Sequence, residues 1–135
     1  MVSIENRKLI DAIEAPEEHA EFVSRVIDNC RSYCKEKRYF PVSFNPVPKN
    51  KYFCAYKQGG SARGEGEAII GFSNQGEGLN IVFHHVVVDL KGFTIKRTTD
   101  KDKHWRRLWI NRQFNEEEIQ YICKLAYQCF DKVFR

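Results

Sequence analysis

The residues able to do chemistry in this chain are two adjacent histidines, five cysteines, a pair of glutamates and a basic-aromatic run. His84 and His85 invite a metal, but neighbouring strand residues point to opposite faces and cannot easily share one ion. No further ligand stands at zinc spacing, so no metal site is expected. Cys30, Cys34, Cys54, Cys123 and Cys129 are odd in number and form no CxxC pair. Cys30, Cys34 and Cys123 fall on apolar helix positions, as expected of reduced, packed thiols. Glu65 and Glu67 flank Gly66 and can form an acid–base pair; a soluble hairpin tip explains them better. The glycines of QGGSARGEG resemble a phosphate loop, but such loops lead into a helix, and this one leads into the strand-like EAIIGF. Arg63 at its tip can still touch a phosphate. No nucleophile-elbow or zincin motif occurs, and no cofactor is implied.

The run HWRRLWINR, residues 104–112, is the most suggestive feature. If Leu108 and Ile110 face a core, Arg107 and Trp109 face outward, as do Thr94 and Lys96 on the strand before. Cations displace phosphate counterions and an indole stacks on bases. The same residues can also cover a sheet without binding anything, through arginine–tryptophan stacking. KYFCAYK is a weaker second instance, placing Tyr52 and Tyr56 on one face between Lys51 and Lys57.

The elements that must position these residues follow from periodicity. A short helix is expected over Ser3–Glu14 and a longer one from Pro16, at its first helical position, to about Lys37. Prolines 41, 46 and 48 make residues 39–50 extended or looped. Strands then follow at KYFCAYK, EAIIGF, LNIVFHHVVV, GFTIKRT and RRLWI. Asn115 and Glu118 read as a capping box for a C-terminal helix, with Phe114 and Ile119 at the staple positions. The fold expected is α+β: a mostly antiparallel sheet of about five strands, with N-terminal and C-terminal helices on one face. The other face is left at least partly exposed.

A length of 135 residues suits one domain, 1–135. No apolar run is long enough to cross a bilayer, and the acidic N-terminus does not read as a secretion signal, so a cytoplasmic location is expected. The net charge of +4 hides a pattern. Residues 1–28 carry −4, 29–63 carry +7, 64–90 carry −4, 91–112 carry +6 and 113–135 carry −1. Two basic blocks thus alternate with acidic ones, and a basic block concentrates polyanions.

The segment DKHWRRLWINRQFNEEEIQYICKLAYQCFDKVF resembles the end of MmcQ/YjbR-like bacterial domains. The matching positions are Lys103, His104, Trp105, Glu116 to Glu118 and Tyr127. YFCAYK, GLNIVF, DLKG and His104-Trp105 also follow the order of a bacterial family of unknown function. Together the resemblance spans about residues 51–133. It implies a double-wing α+β fold with suspected DNA binding and no catalytic residue to transfer.

The expected function is therefore a non-catalytic nucleic-acid-binding domain, with DNA or RNA as partner. Lys96, Arg97, Lys103, Arg106, Arg107, Trp109 and Arg112 form the site, extended by Lys51, Tyr52, Tyr56 and Lys57. The alternative is a protein-interaction or small-ligand-binding accessory domain of a larger system. A hydrolase or nuclease assembled from distant residues is a third class, which a deep pocket of converging acids, histidines or thiols would revive.

Overall fold

Ser3 accepts a hydrogen bond from the Asn6 backbone N–H and starts α1 (Ile4–Ala12). Pro16 caps α2 (Glu17–Lys37) from just outside, one position earlier than expected. Its fixed φ suits either place, and the acidic Glu17 and Glu18 follow in the first turn. Arg38 ends α2 in the left-handed region, and the Arg38 and Tyr39 N–H groups return to the last turn. The capping box of the last helix, α3 (Glu116–Phe134), forms as expected. The Asn115 N–H donates to the Glu118 carboxylate at 2.9 Å, and the Glu118 N–H donates to Asn115 Oδ1 at 2.8 Å.

The computed structural model describes residues 2–57, 67–76, 78–84 and 105–134, with the backbone alone for Glu67, Trp105 and Arg106. The expected GFTIKRT strand, the second half of LNIVFHHVVV, His85, Arg63 and Glu65 lie outside these residues, as do Lys96, Arg97 and Lys103.

The described sheet has five antiparallel strands in sequential order: β1 (Val42–Val47), β2 (Tyr52–Lys57), β3 (Glu67–Ser73), β4 (Asn80–His84) and β5 (Trp105–Trp109). β1 arises in the proline-rich segment expected to be extended or looped. Of the segment's three prolines only Pro46 lies within β1, and it is tolerated because β1 is an edge of the described sheet, where a missing N–H costs little. A short 3-10 turn, Pro48–Asn50, and Lys51 at φ 49° lead into β2.

The helices and one sheet face share one core. Phe53, Phe72, Ile81, Phe83 and Leu108 of the sheet meet Val23, Ile27, Ile122, Ala126 and Phe130 of the helices. Each such side chain contributes about 1.5–3 kcal/mol on burial. Asn6 is fully buried and ties α1 to α2: its Nδ2 donates to Ser24 Oγ at 2.9 Å and to Asp28 Oδ1 at 2.8 Å. That bond set satisfies a polar group that burial would otherwise penalise.

The opposite sheet face is partly exposed, as expected, but only around its rim. It carries Cys54, Gly71, Val82 and Arg107 in one cross-strand row, and Tyr52, Ser73, Asn80 and Trp109 in the next. Cys54 is 0 % exposed and Val82 3 %, and Ser73, Asn80 and His84 are buried too. The centre of this face is therefore closed. The half-buried Tyr52, Tyr56, Arg107 and Trp109 stand around it.

Candidate ligand cleft and the basic-aromatic face

Those of the expected nucleic-acid-binding residues whose side chains are described do not share one surface. Leu108 and Ile110 do face the core, which places Arg107 and Trp109 on the opposite sheet face as their alternation requires. Both are half-buried rather than outward and free. Trp109 packs its ring so near Gly78 that a Cβ there would approach it to 3.0 Å. Arg106 pairs in register with Phe83, a core residue, so its backbone position belongs to the other row from Arg107.

Arg112 is already engaged. Its guanidinium makes a two-pronged ion pair with Glu118, at 3.0 and 2.6 Å, and lies 4.9 Å from the Phe114 ring centre. Arg112 and the Asn115 N–H together hold the Glu118 carboxyl down at about 2, below its ordinary range. Lys51 pairs with Glu14 at 2.8 Å.

Tyr52 and Tyr56 do sit on one face, flanking Cys54. The Tyr52 ring covers Gly71, where a Cβ would meet it at 3.0 Å. Burial raises the Tyr52 hydroxyl and the Cys54 thiol above their ordinary values, so both stay protonated. Lys57 lies on the helix side instead. Its Nζ stands 4.9 Å from the Phe134 ring and 3.5 Å from the Val133 carbonyl, at the negative end of α3. Strand alternation, which sends successive residues to opposite faces, separates it from Tyr56.

Described residues of the first basic block build something else. Between α1, α2 and β1 lies a cleft of about 710 Å³. That size falls in the range of small-molecule sites. Leu9, Cys34, Val42 and Phe44 give it an apolar wall, and Tyr39 and Phe40 close one end. Arg31 reaches across it from α2, with its guanidinium 5.0 Å from the Phe44 ring centre and 3.1 Å from Glu5. Lys8 and Lys35 are exposed lining residues, and neither pairs with an acid among the described residues. Phe40 is 65 % exposed, a large apolar ring held in water at the mouth.

The wall is fixed from behind. The Tyr33 and Tyr39 hydroxyls both donate to Asp131 Oδ1, at 2.7 and 2.8 Å. Tyr33 stacks on Tyr127 and Tyr39 on Phe134, at centroid distances of 4.2 and 4.7 Å. The chain leaving α2 is thus clamped to the end of α3 before it enters β1.

The Cys34 thiol that lines the cleft stays protonated. Burial pushes the Cys34 thiol up to about 12 and raises Cys30, Cys123 and Cys129 as well. A neutral thiol is a packing group, not a nucleophile. All five cysteines are free and buried. Among the described residues no three histidines, cysteines or acids gather to hold a metal ion. No described helix is long and apolar enough to cross a membrane.

Sequence reasoning missed the cleft for a definite reason. Lys8 lies in an acidic block, where a regional sum conceals it. Lys35 was visible in the basic block but reads there as a helix-end charge. Phe40 beside Pro41 was the available signal: a large ring in a segment barred from helix. No family model matches the chain, and no curated protein or solved structure matches it either.

Proposed function

We propose that the protein is a non-catalytic binding domain whose cleft between β1 and the N-terminal helices takes an anionic ligand with an apolar or aromatic body. The observation that carries this reading is the cleft itself: an apolar wall of Leu9, Cys34 and Phe44 together with Lys8 and Lys35, which pair with no acid among the described residues. Apolar contact holds the body of such a ligand, and the ammonium groups orient its charge. Three cations and one carboxylate line the site, and that carboxylate already faces Arg31. Amide-resolved NMR titration with phenyl phosphate, AMP and hexanoate tests it. At millimolar ligand, at least one should move the Leu9, Cys34 and Phe44 amides together. Silence at all three positions with every ligand would overturn the reading.

A second reading keeps nucleic acid as the partner. Arg107 and Trp109 favour it, because they are partly accessible and occupy adjacent rows of one sheet face. The likeness of residues 51–133 to MmcQ/YjbR-like domains points the same way. β1 and β5, however, are opposite edges of the described sheet, so Lys35 beside β1 and Arg107 on β5 stand apart. Anisotropy of a labelled single-stranded oligonucleotide decides it. Binding that falls steeply with salt and weakens in Arg107→Ala and Trp109→Ala supports this reading. No binding at low salt overturns it.

A further inference from the structure

The cleft is not closed by a second wall of helix; one of its sides is a strand edge. Val42, Phe44 and Pro46 alternate along β1 and all line it, together with Ser43. None of the six β1 residues is fully buried. Among the described residues β1 pairs with β2 alone. In an antiparallel pair, half of a strand's backbone polar groups point away from its neighbour. Pro41 and Pro46 lack an N–H, so outward donors are confined to alternate residues between these two prolines.

A groove between a strand edge and a helix is a geometry in which proteins capture extended peptides. We propose that this cleft, read above as an anion-binding site, receives an extended acidic segment of a partner protein, laid along β1 as an added strand. A strand placed about 4.8 Å outside β1 sends every second side chain toward the helices. There it meets the Leu9, Cys34 and Phe44 wall, with room for apolar side chains. Lys8 on α1 and Lys35 on α2 stand over that space and select acidic residues in the segment. Phe40, at the mouth, covers the segment's end with an exposed ring, as aromatic anchors do in interfaces.

Charge complementarity selects this occupant over a basic or neutral peptide. The neighbouring helix end adds Lys37 and Arg38 to the field around the cleft, whereas Glu36 is the lone acid of the first basic block. Strand addition supplies affinity through the backbone, and the lysines supply the choice of sequence.

Selection of a random heptapeptide display library on the full chain tests the proposal. The enriched peptides should carry Asp or Glu together with apolar residues at alternate positions. A synthetic peptide of the enriched sequence should bind the Lys8→Glu, Lys35→Glu double variant at least tenfold more weakly. Both lysines are exposed, so the variant keeps its core, and circular dichroism checks this. Backbone N-methylation at one alternating set of the peptide's residues should cost a similar factor, while methylation of the other set should not. Enrichment of basic or uncharged peptides overturns the proposal, as does equal binding by the double variant. Equal binding by both N-methylated forms overturns strand addition. If no peptide is enriched while phenyl phosphate or AMP still moves the Leu9 and Phe44 amides, the peptide proposal falls and the cleft's anion-binding function stands. If neither binds, both fall.

Discussion

The described cations around the cleft and those at the end of β5 have opposite fates. Around the cleft, Lys8 and Lys35 remain uncommitted among the described residues, and only Arg31 is spent on local acids. At the β5 end, Arg112 is locked to Glu118 and Phe114, and Arg107 is half-buried beside the closed centre of the sheet. Among the described residues, cations therefore line an open site in one region and fasten structure in the other. What differs is the supply of acids. The acidic start of α3 lies beside Arg112 and takes it up, whereas Lys8 and Lys35 pair with no acid among the described residues. Counting charge along the chain measures neither burial nor pairing, and those two decide whether a cation is available to a partner.

Removing the clamp behind the cleft should have the largest effect. Asp131→Ala takes away the shared acceptor of Tyr33 and Tyr39. It should cost about 2 kcal/mol in urea unfolding and weaken cleft binding as well, since Tyr39 lines the cleft. Unchanged stability would show that the tyrosine stacks alone hold the wall.

Gly71→Ala probes the other region. Its Cβ would press on the Tyr52 ring at 3.0 Å and on the Phe53 carbonyl at 3.3 Å. Overpacking of that kind should cost about 1–2 kcal/mol and leave ligand titrations of the cleft as they were. A loss of cleft binding in this variant would erase the separation between the two faces.

Single charges sharpen the contrast further. Lys35→Ala should weaken binding of the anionic ligand about fivefold, close to 1 kcal/mol. Arg107→Ala and Arg112→Ala should leave that affinity unchanged, as calorimetry can check. The reverse ranking, measured with an oligonucleotide, would move the functional site to the β5 face.

The smallest effect expected is in acid unfolding. Arg25, with Gln120, holds the Glu116 carboxyl at about 2, and Arg112 holds Glu118 at about 2, against an ordinary 4.5. A carboxyl lowered in the folded state stabilises it above its unfolded value. That stability is lost as pH falls from about 4.5 toward 2. Glu116→Gln and Glu118→Gln should each flatten the decline of melting temperature over this window. Both groups are solvent-exposed, so the change should be slight and should shrink with salt.

Much of the fold was legible because its signals are local. Ser3, Asn115 with Glu118, and the apolar stripe through Ile122, Ala126 and Phe130 define helix ends and faces within a few residues. Alternation around Leu108 and Ile110 placed Arg107 and Trp109 on the far face. The degree to which that face is closed was not legible, because Cys54 and Val82 are buried by neighbours distant in sequence. Nor was the separation of Lys57 from Tyr56 by the sheet, although the alternation rule implied it.

The amino-acid order by itself determined an α+β chain: three helices, short strands and two cationic segments. Periodicity and capping act over one or two turns, and nothing distant revises them. The tertiary structure decided which cations are free. Lys8, Lys35 and Phe44 come from three different elements, and antiparallel pairing of β1 with β2 beneath α1 and α2 brings them around one cleft. No local pattern encodes that meeting, because it depends on how the elements pack rather than on how each one forms.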